Sequence, residues 1–151
     1  MRPQPRKTQF LFGGIFMATT SKIIVSQLMG ITDNSVQIIK VINQQYLKQF
    51  VVLSKKSTTG IKPNIYTVKI ESNTPKLTPQ SKIKVSCTCA DFRYRLAYCL
   101  YEKDALLTPE DYLLKLDGEE IKPDKTNPGC SKVRGCKHIK ASLKYALQHN
   151  I

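Results

Sequence analysis

Two short pairs of metal-ligand residues stand out in this sequence of 151 residues. One residue separates Cys87 from Cys89, and one residue separates Cys136 from His138. Thiolate sulfurs and imidazole nitrogens are favoured zinc ligands, and three cysteines with one histidine complete a tetrahedral coordination shell. The two pairs therefore predict one structural Zn²⁺ ion, with no coordination position left open for catalysis.

The other cysteines lack this paired spacing. The chain has five cysteines, and an odd number excludes a framework in which every cysteine is paired within the chain. Cys99 is expected to be a small buried residue in a helix, and Cys130 is an alternative ligand six residues before Cys136. The competing interpretation of the four ligand-type residues is a set of reduced core cysteines beside an incidental histidine. Two matched pairs favour the metal site.

Strands are predicted to carry the first ligand pair. Apolar residues in alternation predict three antiparallel strands over residues 50–53, 65–70 and 82–87, and the third strand ends on Cys87. Because residues i and i+2 of a strand point to the same side, the sulfurs of Cys87 and Cys89 can reach one ion.

Helices are predicted on both sides of these strands. Thr32–Ser35 offers N-cap residues for an amphipathic helix with Val36, Ile39, Ile42 and Tyr46 on one stripe. After the strands, Asp91 is expected to cap a helix over residues 92–104, and Thr108–Asp111 to begin another. Residues 119–135 are predicted to be a long loop, and Lys137–Gln148 the last helix, with Ile139, Leu143, Ala146 and Leu147 on its apolar stripe.

These elements predict an α+β fold, a small antiparallel sheet with zinc-locked C-terminal helices. We expect an N-terminal arm over residues 1–21, a helix and strands over 22–81, and a zinc-binding region over 82–151, the last two within one compact domain. Met17 is an alternative start of the natural chain.

Positive charge is concentrated at the two ends of the sequence. The formal net charge is +13, yet residues 101–124 contain eight acidic and three basic residues. A basic excess of this size favours binding to nucleic acid or to an acidic protein surface, although solubility alone is the simpler interpretation. Six cations flank the two ligand pairs and are the candidate partner-binding residues: Arg93, Arg95, Arg134, Lys137, Lys140 and Lys144.

The order Cys-x-Cys, a long gap, then Cys-x-His at the start of a helix resembles the SWIM zinc finger. The resemblance covers residues 82–148 and implies that Cys87, Cys89, Cys136 and His138 are the zinc ligands. The 46 residues between Cys89 and Cys136 exceed the usual gap, which leaves the local fold of residues 96–134 open. The stretch from Cys89 to Arg95 and the later Asn127-Pro128-Gly129 are also similar to small SWIM-type proteins of tailed bacteriophages, which implies a role in a virion or its assembly.

These observations favour a non-enzymatic protein that works through its partners. The expected partners are other subunits of a larger assembly, in a virion or in the reducing cytoplasm of the host cell. The alternative is a nucleic-acid-binding module that uses a basic face, with Tyr94 and Tyr98 as stacking surfaces. We expect no enzyme activity and no small-molecule substrate, because no nucleophile elbow, phosphate-binding glycine loop or H-E-x-x-H motif occurs. No apolar run approaches the length of a membrane span.

Overall fold

A computed structural model of the chain describes residues 18–32, 34–55, 64–113 and 133–151. Its centre is a four-stranded antiparallel sheet in the order β1-β2-β3-β4. The strands are β1 (Val36–Asn43), β2 (Leu47–Ser54), β3 (Asn64–Ser72) and β4 (Ile83–Cys87). With its flanking helices, this sheet confirms the α+β class.

Short helical segments surround the sheet in the described part of the chain. They include α1 (Val25–Leu28), the π-helical turn (Phe92–Leu96), α2 (Ala97–Glu102), α3 (Glu110–Leu113) and α4 (Lys137–Gln148). The bounds of α4 agree with the prediction, and the Thr108–Asp111 signal does start a helix. Among the described residues, no helix combines the length and the apolar character that crossing a bilayer requires.

The predicted helix after Thr32 is wrong, because Val36–Asn43 forms strand β1. Five β-branched residues in this stretch favour extended backbone. The pairing of β1 with β2 shifts register between Ile38 and Lys40, so that Ile39 is the extra residue of a bulge. One extra residue changes the phase of the alternation, and the apolar positions then imitate the spacing of a helix.

The helix predicted over residues 92–104 is present as an uninterrupted helical run that ends at Glu102, and its first part is the π-helical turn while the rest is α2. Asp91 does not act as its cap, since its own backbone is helical and its side chain makes no capping hydrogen bond. The carboxylate of Asp91 instead accepts a hydrogen bond from Arg95 at 3.2 Å. Residues 1–17 of the predicted arm over 1–21, and most of the predicted loop over 119–135, lie outside the described residues. The rest of the predicted arm is not an arm, because Ala18 and Ser21 are buried and the Ser21 hydroxyl donates to the Ile83 carbonyl at 2.7 Å.

The core lies on the face of the sheet that packs against α4. Phe50, Val52, Val68, Ile70 and Val85 are fully buried there. Helix α4 contributes Ile139, Leu143 and Ala146, each at 0% exposure, as its stripe predicts. This apolar contact orients α4 so that its first turn lies at the end of β4.

The opposite face of the sheet buries a carboxyl group. Glu71 lies between Leu47 of β2 and Lys84 of β4 in the strand register. It is 7% exposed, and its Oε1 atom has no hydrogen-bond partner among the described residues. Burial raises the pKa of Glu71 to about 7 against the opposing effect of the Lys84 charge. The sheet therefore accommodates the neutral acid better than the carboxylate.

Replacing Glu71 should remove a pH dependence of stability. The pKa of Glu71 in the folded chain lies above the ordinary value of 4.5. The free energy of unfolding is therefore highest below pH 4.5, where Glu71 is neutral, and it declines as the pH rises through about 7. We expect Glu71→Gln to be more stable than the natural chain at pH 8, by about 1–3 kcal/mol, and equal to it at pH 4.5. Thermal unfolding at a series of pH values measures this difference.

Glu110→Gln, at an exposed glutamate of α3, is the matched control and should follow the natural chain at every pH. Parallel stability curves for Glu71→Gln and the natural chain would contradict the prediction.

Candidate metal centre

The end of β4 positions the first ligand pair. Cys87 is the last residue of the strand and lies opposite Val68 in β3. The ladder continues one residue further through Thr88, which donates its N–H to the Thr67 carbonyl at 3.2 Å and accepts the Thr67 N–H on its hydroxyl at 3.0 Å. This double contact fixes the backbone between the two cysteines and so directs both sulfurs to one place.

The π-helical turn begins three residues after Cys89, and two of its backbone N–H groups donate to Cys89. The Phe92 N–H donates to the Cys89 sulfur at 3.3 Å, and the Arg93 N–H donates to the Cys89 carbonyl at 3.1 Å. A backbone amide directed at a sulfur stabilises its thiolate form. Widened helical turns often occur at functional sites, and this one directly follows a ligand residue.

The start of α4 positions the second ligand pair. Cys136 is the N-cap residue, with extended backbone, and His138 lies in the first helical turn. The Cys136 carbonyl accepts the Lys140 N–H at 3.0 Å, and the His138 carbonyl accepts the Ser142 hydroxyl at 2.8 Å. The partial positive charge at a helix N-terminus favours a thiolate at Cys136.

The four side chains converge as the sequence predicted. One ligand atom from each of Cys87, Cys89, Cys136 and His138 lies within 4.8 Å of all the others. The Nδ1 atom of His138 is 3.8 Å from the Cys87 sulfur and 3.9 Å from the Cys136 sulfur. Bond lengths of about 2.3 Å to sulfur and about 2.0 Å to nitrogen place tetrahedral ligands about 3.5–3.8 Å apart. The cluster can therefore hold a metal ion with little rearrangement.

The cluster is closed to solvent. Cys87, Cys89, Cys136 and His138 are 0%, 4%, 2% and 3% exposed. Such burial separates the site from any bulky substrate, and four protein ligands fill a tetrahedral shell. The arrangement is typical of a structural metal site.

The His138 imidazole is oriented by packing on Tyr66. Their ring centroids are 4.5 Å apart, with 43° between the ring planes. With Nδ1 directed at the sulfurs, the proton belongs on Nε2, which is buried and has no hydrogen-bond partner among the described residues. The carboxylate of Asp91, which binds Arg95, is not a partner of this nitrogen.

Three thiols this close cannot all ionise without a cation. The pKa of Cys89 is lowered because the Cys136 and Cys87 thiols and the Phe92 N–H donate to its sulfur. The pKa of Cys87 is raised by its hydrogen bonds to Cys136 and Cys89 and by burial. At Cys136 a hydrogen bond from Cys87 lowers the pKa, but contact with Cys89 and burial outweigh it and raise the pKa to about 12. A bound divalent cation would supply the charge that three thiolates need.

Cys99 does not belong to the cluster. It is buried, as predicted, and it is not among the four residues whose ligand atoms converge. The free cysteines of the described residues are Cys87, Cys89 and Cys136. Cys130, the alternative ligand, lies outside the described residues.

The predicted partner-binding cations fall into two groups with different surroundings. The Arg93 guanidinium donates to the Asp111 carbonyl at 3.1 Å and lies 5.2 Å from the centre of the Tyr112 ring, and Arg95 pairs with Asp91. The second group belongs to α4 and the residues before it, and we call it the α4 cations: Arg134, Lys137, Lys140 and Lys144. Within the described residues, no carboxylate forms an ion pair with any α4 cation.

Sequence reasoning missed three residues that support the cluster, namely Tyr66, Thr88 and Gly135. Tyr66 and Thr88 are distant from the second ligand pair in sequence, and only the packing of α4 on the sheet brings Tyr66 to His138. The position of Gly135, directly before Cys136, was a visible signal. A Cβ atom there would lie 3.1 Å from the Leu28 carbonyl oxygen and 3.0 Å from a methyl group of Ile139.

Comparisons of this chain with protein-family models, with curated proteins and with solved structures find no match. The resemblance to the SWIM zinc finger consequently stays a prediction based on the spacing of four ligand residues. The geometry described above stands independently of that resemblance.

A side chain at position 135 should disturb the second ligand pair. In Gly135→Ala the new methyl group meets the backbone of α1, so the segment that ends in Cys136 has to shift. We expect a loss of stability of about 1–3 kcal/mol together with weaker metal binding. Thermal unfolding and competition with a metal-sensitive dye measure the two effects.

Gly30→Ala is the matched control, because a Cβ atom at position 30 meets only the flexible side chain of Lys140, at 3.3 Å. The prediction fails if the two alanine variants bind metal and unfold alike.

Proposed function

We propose that Cys87, Cys89, Cys136 and His138 bind one structural Zn²⁺ ion and that the chain is a non-enzymatic interaction protein. The observation that carries this proposal is the convergence of three sulfurs and one imidazole nitrogen within 4.8 Å in a buried site. Thiolates with one imidazole are a ligand set that suits zinc among the common divalent metals. A filled coordination shell supplies stability rather than catalysis.

The ion would act by tying two distant parts of the chain together. Its ligands come from the end of β4 and from the start of α4, with 46 residues between Cys89 and Cys136. Structural zinc contributes on the order of 10 kcal/mol to folding in small finger domains. A contribution of that size rivals the whole stability of a typical domain, so α4 would depend on the metal for its place on the sheet. Thiolate ligation also favours a reducing compartment.

The proposed biological role is that of a small component of a larger assembly, of the virion or assembly type that the phage-like motif implies. Exposed apolar side chains support a role in contacts with other subunits. Ile31 is 95% exposed and Ile65 is 62% exposed, and both are large enough to anchor an interface.

A second candidate function, nucleic-acid binding, is favoured by the α4 cations. Arg134 and Lys144 are exposed, and Lys137 and Lys140 are half-buried. Lysines at positions 137, 140 and 144 follow one side of the helix, where they could contact successive phosphates. Arg93 and Arg95 fit this role less well, since both make contacts within the chain.

Metal analysis tests the zinc proposal directly. We expect one zinc ion per chain in protein purified under reducing conditions, and none in Cys136→Ser. His138→Ala should bind zinc at least tenfold more weakly, while His149→Ala, at an exposed histidine outside the cluster, should keep the full content. Elemental analysis measures the stoichiometry, and the absorption bands of a Co²⁺-substituted sample report thiolate ligation.

Removal of the metal tests its structural role. A chelator should lower the melting temperature and the helical circular dichroism together, because α4 loses its anchor at β4. An unchanged metal content in Cys136→Ser, or a chelated sample that unfolds as before, would show that the cluster is not a structural zinc site.

Salt dependence tests the nucleic-acid candidate. Binding of a labelled single-stranded oligonucleotide should weaken steeply with salt, and each phosphate contact should contribute about −0.7 to the slope of log K against log salt. Lys140→Glu combined with Lys144→Glu should reduce that slope, whereas Arg95→Gln should preserve it because Arg95 already pairs with Asp91. A slope near zero in the natural chain would exclude this function.

A further inference from the structure

The two edges of the sheet differ in how they are covered. The outer edge of β4 is closed by backbone hydrogen bonds, from the Ile83 N–H to the Ile23 carbonyl at 3.0 Å and from the Val85 N–H to the Ala105 carbonyl at 2.9 Å. The Leu107 N–H completes this cover by donating to the Val85 carbonyl at 3.0 Å. At the other edge, no described backbone segment pairs with the outer side of β1.

A groove of about 360 Å³ follows the open edge of β1 where the strand faces α4. Three consecutive strand residues line it, namely Val36, Gln37 and Ile38. Because successive side chains of a strand point to opposite faces, a groove that touches three in a row runs along the edge and reaches the backbone. Ala141 and Lys144 of α4 lie on its other side.

The groove is positively charged. Among the residues that the structure describes, Lys144 is the one charged residue that lines the groove, and none of the lining residues is an aspartate or a glutamate. The Lys144 Nζ atom donates to the Thr32 hydroxyl at 3.3 Å, and no described carboxylate forms an ion pair with it. Lys137 and Lys140 precede Lys144 along α4 and extend the positive potential beyond the groove.

We propose that the edge of β1 before its bulge binds an extended acidic segment of another protein as an additional strand. Residues 36–38 would pair with the backbone of that segment, and Lys144 would bind one of its carboxylates. Main-chain pairing at an open edge is a recurrent mode of peptide recognition, in which pockets beside the strand select the side chains.

Two features of the edge of β1 indicate what kind of molecule would bind there. An open strand presents N–H donors and carbonyl acceptors in alternation, and another peptide backbone satisfies both, whereas phosphates satisfy the donors alone. The bulge at Ile39 and the exposed Lys40 interrupt the edge, which restricts pairing to a short stretch and opposes open-ended aggregation. This inference rests on the proposed role as an interaction protein and specifies the surface and the chemistry of the partner.

Peptide binding to the zinc-loaded, full-length chain tests the inference. The probe is a fluorescently labelled octapeptide of alternating valine and glutamate, and its matched control carries lysine in place of glutamate. We expect the fluorescence anisotropy of the acidic peptide to rise to saturation as protein is added, and the lysine peptide to bind at least about tenfold more weakly. Amide hydrogen exchange over residues 36–38 should become slower when the acidic peptide is bound. Lys144→Glu should lower the affinity for the acidic peptide by about tenfold. Lys76→Glu, at an exposed lysine between β3 and β4, should leave that affinity unchanged.

Several outcomes would overturn the inference. They are an absence of saturable binding, equal affinity for both peptides, and binding without protection of residues 36–38. Protection of the same residues by an oligonucleotide alone would assign the edge to nucleic acid, and protection that grows with protein concentration would assign it to a second copy of the chain. The zinc content is measured in the same samples. A chain that contains zinc but does not bind the acidic peptide would contradict this inference and leave the zinc proposal unaffected.

Discussion

The structure depends on the convergence of three thiols and one imidazole where β4 ends and α4 begins. Three buried sulfurs within 4.8 Å of one another and of a histidine nitrogen cannot all be thiolates unless positive charge stabilises them. Hydrogen bonds from the neighbouring thiols and from the Phe92 N–H lower the pKa of Cys89 alone among the three. A divalent cation would allow all three to be thiolates, and it would join the strand to the helix in doing so.

Several neighbouring elements hold the end of β4 and the start of α4 in place. The Thr67–Thr88 contacts extend the β3–β4 ladder through the first ligand pair, and the π-helical turn closes over Cys89. On the other side, the absence of a side chain at Gly135 lets the segment before α4 pass close to the Leu28 carbonyl. The apolar stripe of α4 then sets the direction of the helix, so the ligand geometry is a product of core packing as well as of the ligands themselves.

The two edges of the sheet differ in how they are covered, and the two proposed roles fall on different edges. The β4 edge is covered by residues near Ile23 and Ala105 and leads into the cluster. The β1 edge borders a groove with a lysine on its wall and carries the bulge at Ile39. A rigid site at one end of the sheet and a strand edge that no described segment covers at the other would suit the proposed interaction role, since a stable scaffold reduces the ordering cost of binding.

Local sequence determined the ligand set, the strands β2, β3 and β4, and helix α4. These features follow from short-range physics: paired i, i+2 ligands, alternation along a strand, and one apolar stripe along a helix. Tertiary structure decided the rest. The stretch from Val36 to Asn43 forms a strand because β2 offers a partner. Its bulge interrupts the alternation of apolar and polar residues, so the sequence alone does not indicate a strand there. The packing of Tyr66 on His138, the burial of Glu71 and the division of the cations into two groups all depend on which strands and helices meet, and contacts between residues distant in sequence are not encoded in local periodicity.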